Sequence, residues 1–119
     1  MTEHDWRRER RKQRAFERLG SNEPRCGVCG EGDWRCLEAH HIAGKDFDAK
    51  IVIACRNCHR RLSDDQLEQP AFDANADPLL QAVARFLLGL ADMLAAIIGK
   101  LREFGDALAS RAVAPGEAA

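Results

Sequence analysis

The first third of the chain is strongly charged, with few apolar positions. Residues 3–19 hold most of these charges, and their composition predicts a helix. Thr2 and Asp5 are typical of a capping box at a helix start, and Gly20 is typical of a residue that ends a helix. The pattern therefore predicts a basic helical arm over residues 1–23.

The middle of the chain alternates between short apolar runs and turn-forming residues. Residues 25–34 are rich in Gly and Cys and predict a knuckle. CLEAHHI (36–42) and KIVIAC (50–55) have the composition of strands and are separated by a loop. A short helix is predicted from about residue 57 to 66. Together these elements predict a small α+β domain over residues 24–68.

The last third has the opposite composition from the first, because it is dominated by apolar residues. Residues 69–78 hold two prolines and two aspartates and predict a linker. Residues 79–113 predict one long amphipathic helix, in which polar or small residues recur in steps of three and four. These positions are 81, 85, 89, 92, 96, 99 and 103. Residues 114–119 predict a disordered tail.

Residues 79–113 are too apolar to stand alone in water, and three interpretations follow. The helix packs on the domain or pairs with itself in a dimer, or it forms a surface for another protein, or it lies on or in a membrane. Arg85 and Asp92 interrupt the apolar run on one face, which argues against a membrane span. The polar face is poor in Lys and Arg, which argues against membrane-surface binding.

The charges are unevenly distributed along the chain. Residues 1–62 carry 14 Lys and Arg against 10 Asp and Glu, whereas residues 63–119 carry 4 against 9. This asymmetry indicates a basic working half and an acidic remainder. The N-terminus has no apolar segment typical of a signal peptide, so a cytoplasmic location is expected.

Four of the five cysteines form two matched pairs. Cys26 and Cys29, and likewise Cys55 and Cys58, have the Cys-x-x-Cys spacing with which a knuckle presents two thiolates to a tetrahedral zinc ion. In a reducing compartment such pairs favour a structural zinc site over disulfides. Two redox pairs, or buried unpaired thiols, are the alternatives. Cys36 falls outside the pairs and receives no role.

Three histidines lie close to these pairs. His40 and His41 are adjacent at the end of a predicted strand, where successive side chains point to opposite faces. His59 directly follows a zinc ligand at the start of a helix. Two imidazole ligands and one neutral imidazole base are the smallest set for metal-assisted phosphodiester hydrolysis. His4, in the arm, is interpreted as structural or exposed.

The combination LEAHHIAG, a loop and then KIVIACRNCHRRL resembles the HNH endonuclease family in its zinc-bound form, with a ββα-metal core. The resemblance covers roughly residues 24–66. It implies a metal-dependent nuclease that nicks or cleaves DNA. Matched residue by residue, it implies His40 and His59 as ligands of a catalytic divalent ion (Mg²⁺, Mn²⁺, Ni²⁺ or Zn²⁺) and His41 as the base that activates water. It also implies a structural zinc ion on the four paired cysteines.

The sequence departs from the family pattern at two positions. The family's middle Asn stands five residues before the third cysteine, where this chain has Lys50. Asp46 or Asp48 on the same loop could orient the base instead, or Lys50 could contact a phosphate. The Lys that often follows the final His by three residues is replaced by Leu62.

Basic residues of the arm and the domain are candidates for phosphate contacts, which add salt-dependent affinity without reading sequence. They are Arg7, Arg8, Arg10, Arg11, Lys12, Arg14, Lys50, Arg56, Arg60 and Arg61. The expected partner is DNA. We therefore predict an HNH-type endonuclease, with two alternatives: a zinc-stabilised DNA-binding module that lost the chemistry, and an interaction protein that acts through the C-terminal helix.

Overall fold

Three α-helices and one two-stranded sheet make up residues 1–47 and 49–113, the part of the chain that the structure, a computed structural model, describes. In chain order the elements are α1 (Glu3–Leu19), a 3-10 turn (Trp34–Cys36), β1 (Leu37–His41), β2 (Ile51–Cys55), α2 (Arg56–Leu67) and α3 (Pro78–Ala112). The predicted α+β class and long C-terminal helix are confirmed. The predicted tail, 114–119, and Asp48 lie outside the described residues.

Helix α1 begins and ends at the predicted signals. The Thr2 hydroxyl accepts a hydrogen bond from the Asp5 N–H at 3.2 Å, and the Asp5 carboxylate accepts one from the Thr2 N–H at 2.8 Å. Gly20 adopts a left-handed conformation with φ 71°, which a residue without Cβ tolerates well, and its N–H donates to the Phe16 carbonyl. The helix is thereby fixed at both ends by local sequence.

The two strands form an antiparallel hairpin followed directly by α2. Leu37 lies opposite Cys55, and His40 lies opposite Val52. Cys55 is also the N-cap of α2, since its sulfur accepts a hydrogen bond from the Cys58 N–H at 3.4 Å. The chain therefore turns from strand to helix at a cysteine pair, and this turn sets where α2 crosses the sheet.

A small buried cluster joins these elements. It contains residues from α1, the knuckle, both strands and α2: Leu19, Cys26, Leu37, Ala54, Cys55 and Cys58. Three of these six residues are cysteines, so the cluster contains few of the larger apolar side chains that usually form a core. Small domains commonly need a metal or disulfides to compensate for such a limited core.

Helix α3 docks on the rest of the chain through its polar stripe. Arg85 donates to the Pro70 carbonyl at 2.7 Å, and its guanidinium lies 4.3 Å from the centroid of the Phe47 ring. Asp92 accepts a hydrogen bond from Gln69 at 3.0 Å. Gly89 is the only buried residue of α3. The stripe is thus turned toward the domain, and the apolar side chains opposite it face outward.

The outward side of α3 is strongly apolar. By length and composition the helix is able to cross a membrane, with a mean hydropathy of 1.8 over its most apolar window, of which 6% is buried. Beyond Lys100 every described residue is exposed. The helix therefore leaves the domain before its C-terminal end.

Candidate metal centre

The four paired cysteines converge on one point. Their sulfur atoms all lie within 4.8 Å of one another, and the Cys29 and Cys55 sulfurs are 3.7 Å apart. Four thiolates around zinc at about 2.3 Å would place each pair of sulfurs about 3.8 Å apart. The predicted pairing of the two Cys-x-x-Cys half-sites is confirmed, and the cluster can hold a zinc ion.

Backbone N–H groups point at these sulfurs. Val28 and Cys29 donate to the Cys26 sulfur at 3.4 and 3.5 Å, as Cys58 does to Cys55. The knuckle is held against the sheet by a bond from the Gly27 N–H to the Ile53 carbonyl at 2.8 Å. Backbone N–H donors stabilise negative charge on sulfur. They therefore favour the thiolate form, which is the form that binds a metal.

The thiols of Cys26, Cys29 and Cys58 differ in acidity because of their surroundings. Burial alone would raise the pKa of Cys26, but the N–H donors outweigh it and lower that pKa to about 7. Burial raises the pKa of Cys29 and of Cys58. Burial thus opposes the anionic form of Cys29 and Cys58, and a bound cation would offset that cost. A zinc ion held by all four sulfurs would have no position left for substrate, so the cluster could hold a structural zinc ion.

His40 and His59 are brought together by the sheet and α2. Their ring centroids lie 5.2 Å apart, with the rings nearly perpendicular. His40 is 2% exposed. Burial, helped by the nearby His59 and His41, lowers the pKa of His40 to about 4. His40 is consequently neutral near pH 7, the form in which imidazole binds metals.

His41 lies next to His40 but on the other face of β1, as strand alternation requires. It is partly exposed, at the end of the strand. The Gln66 amide donates to the carbonyls of His41 and Ile42 at 3.0 and 3.2 Å. These bonds hold the end of β1 against α2, so the backbone that carries both histidines is fixed.

Glu38 is a site residue that the sequence analysis missed. Its carboxylate accepts a hydrogen bond from Nδ1 of His59 at 2.7 Å and a second from Arg56 at 3.2 Å. These bonds, that from His59 foremost, lower the pKa of Glu38. A signal was present, because Glu38 is two residues before His40 and therefore on the same strand face.

Among residues 1–47 and 49–113, the cysteines are the only cluster in which three or more His, Cys, Asp or Glu ligand atoms converge. The histidine pair contributes two residues, so an ion held there would have its other coordination positions open. Open positions are a requirement for chemistry at a metal, because water and substrate must reach it.

Lys50, at the position of the family's Asn, has its side chain near α3. Its ammonium lies 5.2 Å from the centroid of the Phe86 ring, and its carbonyl accepts from the Ile42 N–H at 3.2 Å. Asp46 lies in the turn between the strands. Leu62, at the position of the family's Lys, is 1% exposed and belongs to the buried side of α2.

The basic residues fall on several surfaces. Arg56 and Arg60 line a shallow cleft together with His59, Glu38 and Ser63. Arg61 faces a different groove, between α2 and α3. The structure thus places two of the candidate phosphate contacts beside the histidine pair.

A second basic surface lies along the arm. It combines side chains of α1 with the 3-10 turn: Arg11, Arg14, Arg18, Trp34 and Arg35. Arg7 and Arg10 lie 3.4 and 3.9 Å from the Glu3 carboxylate, and Lys12 lies 5.5 Å from the Phe16 ring centroid. Arg8 is exposed on the same helix.

Comparisons of the chain with protein-family models, with curated proteins and with solved structures find no match.

Proposed function

We propose that this chain is a metal-dependent endonuclease of the HNH type that hydrolyses DNA phosphodiester bonds. The observation that carries the proposal is the contact between His40 of β1 and His59 of α2, beside the four-cysteine cluster. The HNH resemblance implies two strands and a helix held by a zinc site, with paired imidazoles between strand and helix. The hairpin, α2, the cysteine cluster and the histidine pair fit this arrangement.

His40 and His59 are the residues that would hold the catalytic ion. Such an ion polarises the scissile phosphate and stabilises the leaving oxygen. Glu38 keeps Nδ1 of His59 occupied as a donor, which directs the other ring nitrogen, Nε2, to the ligand position. The burial of His40 keeps its ring neutral, so no proton competes for the ligand nitrogen near pH 7.

His41 is the proposed general base. Its partly exposed ring at the end of β1 is accessible to water. A neutral imidazole there could accept a proton from the attacking water. The bonds from Gln66 to the backbone of His41 and Ile42 would limit movement of this base relative to α2.

DNA would be held by its phosphates. Arg56 and Arg60 flank His59, where they could bind the strand whose bond is cut. The basic surface of α1 with Arg35 lies on another part of the domain and could bind more distant phosphates. Contacts of this kind give affinity that falls with salt and carries no sequence information.

A second candidate function is a DNA-binding module without catalysis. The observation in its favour is Lys50, which replaces the family's Asn and has its ammonium over a ring of α3. A loop held by α3 instead of by an Asn side chain could leave His41 poorly oriented. Both candidates share the zinc site and the basic surfaces.

The test is nicking of supercoiled plasmid by the zinc-loaded full chain, with Mg²⁺, Mn²⁺, Ni²⁺ or no added ion. Wild type is compared with His41→Ala and with His4→Ala, which removes an exposed histidine of α1. We expect ion-dependent nicking by wild type and His4→Ala. We expect a loss of about 100-fold or more in His41→Ala, the scale of general-base catalysis.

Zinc content and circular dichroism must be the same in all three proteins. If wild type binds DNA but does not nick it with any ion, the nuclease proposal fails and the DNA-binding module is favoured. If His41→Ala nicks as wild type does, His41 is not the base. If no protein binds DNA, both candidate functions fail.

A further inference from the structure

The outward face of α3 carries a leucine at every seventh position. These residues are Leu80, Leu87, Leu94, Leu101 and Leu108. Their exposed fractions are 69, 57, 49, 64 and 64%. Leucines spaced by seven lie nearly on one line along a helix, because 3.6 residues per turn brings each to within about 20° of the previous one. The repeat runs through nearly the whole of α3.

A second series lies four residues after each of these leucines. It consists of small residues with one exception: Ala84, Ala91, Ile98, Gly105 and Ala112. All five are exposed. The combined series alternates steps of four and three, which is the a/d spacing of a heptad repeat. We call these ten positions the leucine seam.

The period of the seam indicates what it contacts. A bilayer requires an apolar face but no fixed repeat along it. A partner helix requires the repeat of 3.5 residues, since only that period keeps one stripe in contact as two helices supercoil. The leucines alternate with Ala and Gly, so the same surface offers large side chains that insert into a partner helix and small residues that leave room for the partner's side chains. The seam therefore fits another helix better than it fits lipid.

The contacts of α3 also argue against insertion in a membrane. In the middle of the apolar run, Gly89 lies against the Ile42 backbone of the domain, and Arg85 and Asp92 are bonded to Pro70 and Gln69 of the segment before the helix. A membrane span would have to break these contacts and bury both charged groups in hydrocarbon.

The end of α3 supports the same conclusion. The seam continues through Leu101 and Leu108, although charged residues surround it there. These are Lys100, Arg102, Glu103, Asp106 and Arg111. Phe104 is the one large exposed apolar residue outside the seam in this part of the helix. An apolar line that continues among so many charges is typical of a coiled coil and not of a membrane segment.

The surface area of the chain is consistent with a missing partner. It exposes 8892 Å² at a mass of 13.3 kDa, whereas a folded monomer of that mass exposes about 6,500 Å². The excess of about 2,400 Å² is comparable with what one subunit of an obligate homodimer buries.

We propose that the leucine seam pairs with the seam of a second copy of this chain. The domain would lie on the opposite side of each α3, so the stripe of Arg85, Gly89 and Asp92 remains in contact with its own domain. Each assembly would then carry at least two zinc domains on a common helical axis. The inference is independent of the proposed nuclease activity.

The test is the mass in solution of the zinc-loaded full chain, by sedimentation equilibrium over a wide concentration range. We expect at least twice the monomer mass of 13.3 kDa for wild type. Leu80→Gln removes a seam leucine, and Leu79→Gln removes its equally exposed neighbour outside the seam (71% exposed). Leu and Gln have similar helix propensities, so the helix is retained.

A second variant, Leu101→Gln with Leu108→Gln, changes only the part of α3 that leaves the domain, so folding of the domain is not affected. We expect this variant to associate at least about tenfold more weakly than wild type, because two leucine side chains would no longer be buried in the interface. Leu79→Gln should keep the mass of wild type, and Leu80→Gln should reduce it at low concentration.

Wild type that stays at the monomer mass at every concentration would overturn the proposal. Association that is equally strong in Leu79→Gln, Leu80→Gln and the double variant would also overturn it, because the interface would then lie elsewhere. Monomeric wild type that sediments with phosphatidylcholine vesicles, while the double variant does not, would assign the seam to a lipid surface instead.

Discussion

The bond between Glu38 and His59 determines which nitrogen of His59 is available. A carboxylate only accepts, so Nδ1 of the ring donates, and Nε2 keeps its lone pair. The pKa of Glu38 is lowered, first by this bond and also by Arg56, so the carboxylate stays ionised near pH 7. In the proposed nuclease, Glu38 would therefore be a positioning residue that acts through His59.

Glu38→Ala is expected to weaken the binding of a divalent ion to the histidine pair by about 10- to 100-fold, because His59 loses the group that orients it. Glu38→Gln should have a smaller effect, since its amide oxygen can still accept from Nδ1. Titration of Mn²⁺ or Ni²⁺ into zinc-loaded protein, followed by calorimetry, measures this affinity. Glu17→Ala, on the exposed side of α1, serves as the control.

Equal affinity in Glu38→Ala and wild type would show that the bond to Glu38 is only structural. Equal losses in Glu38→Ala and Glu38→Gln would show that the negative charge matters and the hydrogen bond does not.

Helix α3 lies against the backbone of Ile42, just after β1, at Gly89. A Cβ placed on Gly89 would overlap the carbonyl oxygen of Ile42, which belongs to the backbone and cannot rotate away. At Gly99, by contrast, a Cβ would meet nothing within 4 Å. The two glycines lie in the same helix, so they separate the packing effect of an added methyl group from its effect on helix propensity.

Gly89→Ala is therefore expected to destabilise the folded chain by about 1–3 kcal/mol, the usual cost of overpacking. Gly99→Ala should be neutral or should stabilise it by up to about 1 kcal/mol, because Ala is the better helix former. Urea unfolding of the zinc-loaded proteins, followed by tryptophan fluorescence and circular dichroism, gives both values. A stabilised Gly89→Ala would mean that α3 does not dock at this point.

The sequence predicted those elements whose signals are local. The capping box at Thr2 and the turn at Gly20 are complete within a few residues, and the spacing of Cys26 and Cys29 alone indicates a knuckle. Strand alternation likewise predicted that His40 and His41 lie on opposite faces. None of these inferences needed a residue distant in the chain.

The orientation of α3 could not be predicted in this way. Polar positions of an amphipathic helix usually face water, but here Arg85 and Asp92 bind Pro70 and Gln69 of the chain segment before the helix. The role of Glu38 also depends on the position of α2, which brings His59 to it. Both features arise from tertiary contacts that periodicity does not encode.

At the scale of the whole molecule, the four-cysteine cluster is the centre of the core. Cys26, Cys55 and Cys58 make up half of the buried cluster, and Leu19 attaches α1 to the same cluster. The ion would therefore hold together the knuckle, the hairpin, α2 and the docked end of α1. A core of this size cannot offset the ordering entropy of the domain by apolar burial alone.

Loss of the metal should consequently unfold the domain and not merely loosen it. Structural zinc in small domains contributes about 10–16 kcal/mol of binding free energy, which is comparable with the whole stability of a typical domain, about 5–15 kcal/mol. We expect Cys29→Ser, or treatment with a strong chelator, to abolish the cooperative thermal transition seen by tryptophan fluorescence. Cys36→Ser should keep both the zinc ion and the thermal transition, because Cys36 lies outside the cluster.

A colorimetric zinc assay on each protein provides the stoichiometry. If Cys29→Ser keeps one zinc ion and an unchanged thermal transition, the four-sulfur site is excluded. If the transition is unchanged after complete removal of zinc, the core is stable on apolar contacts alone.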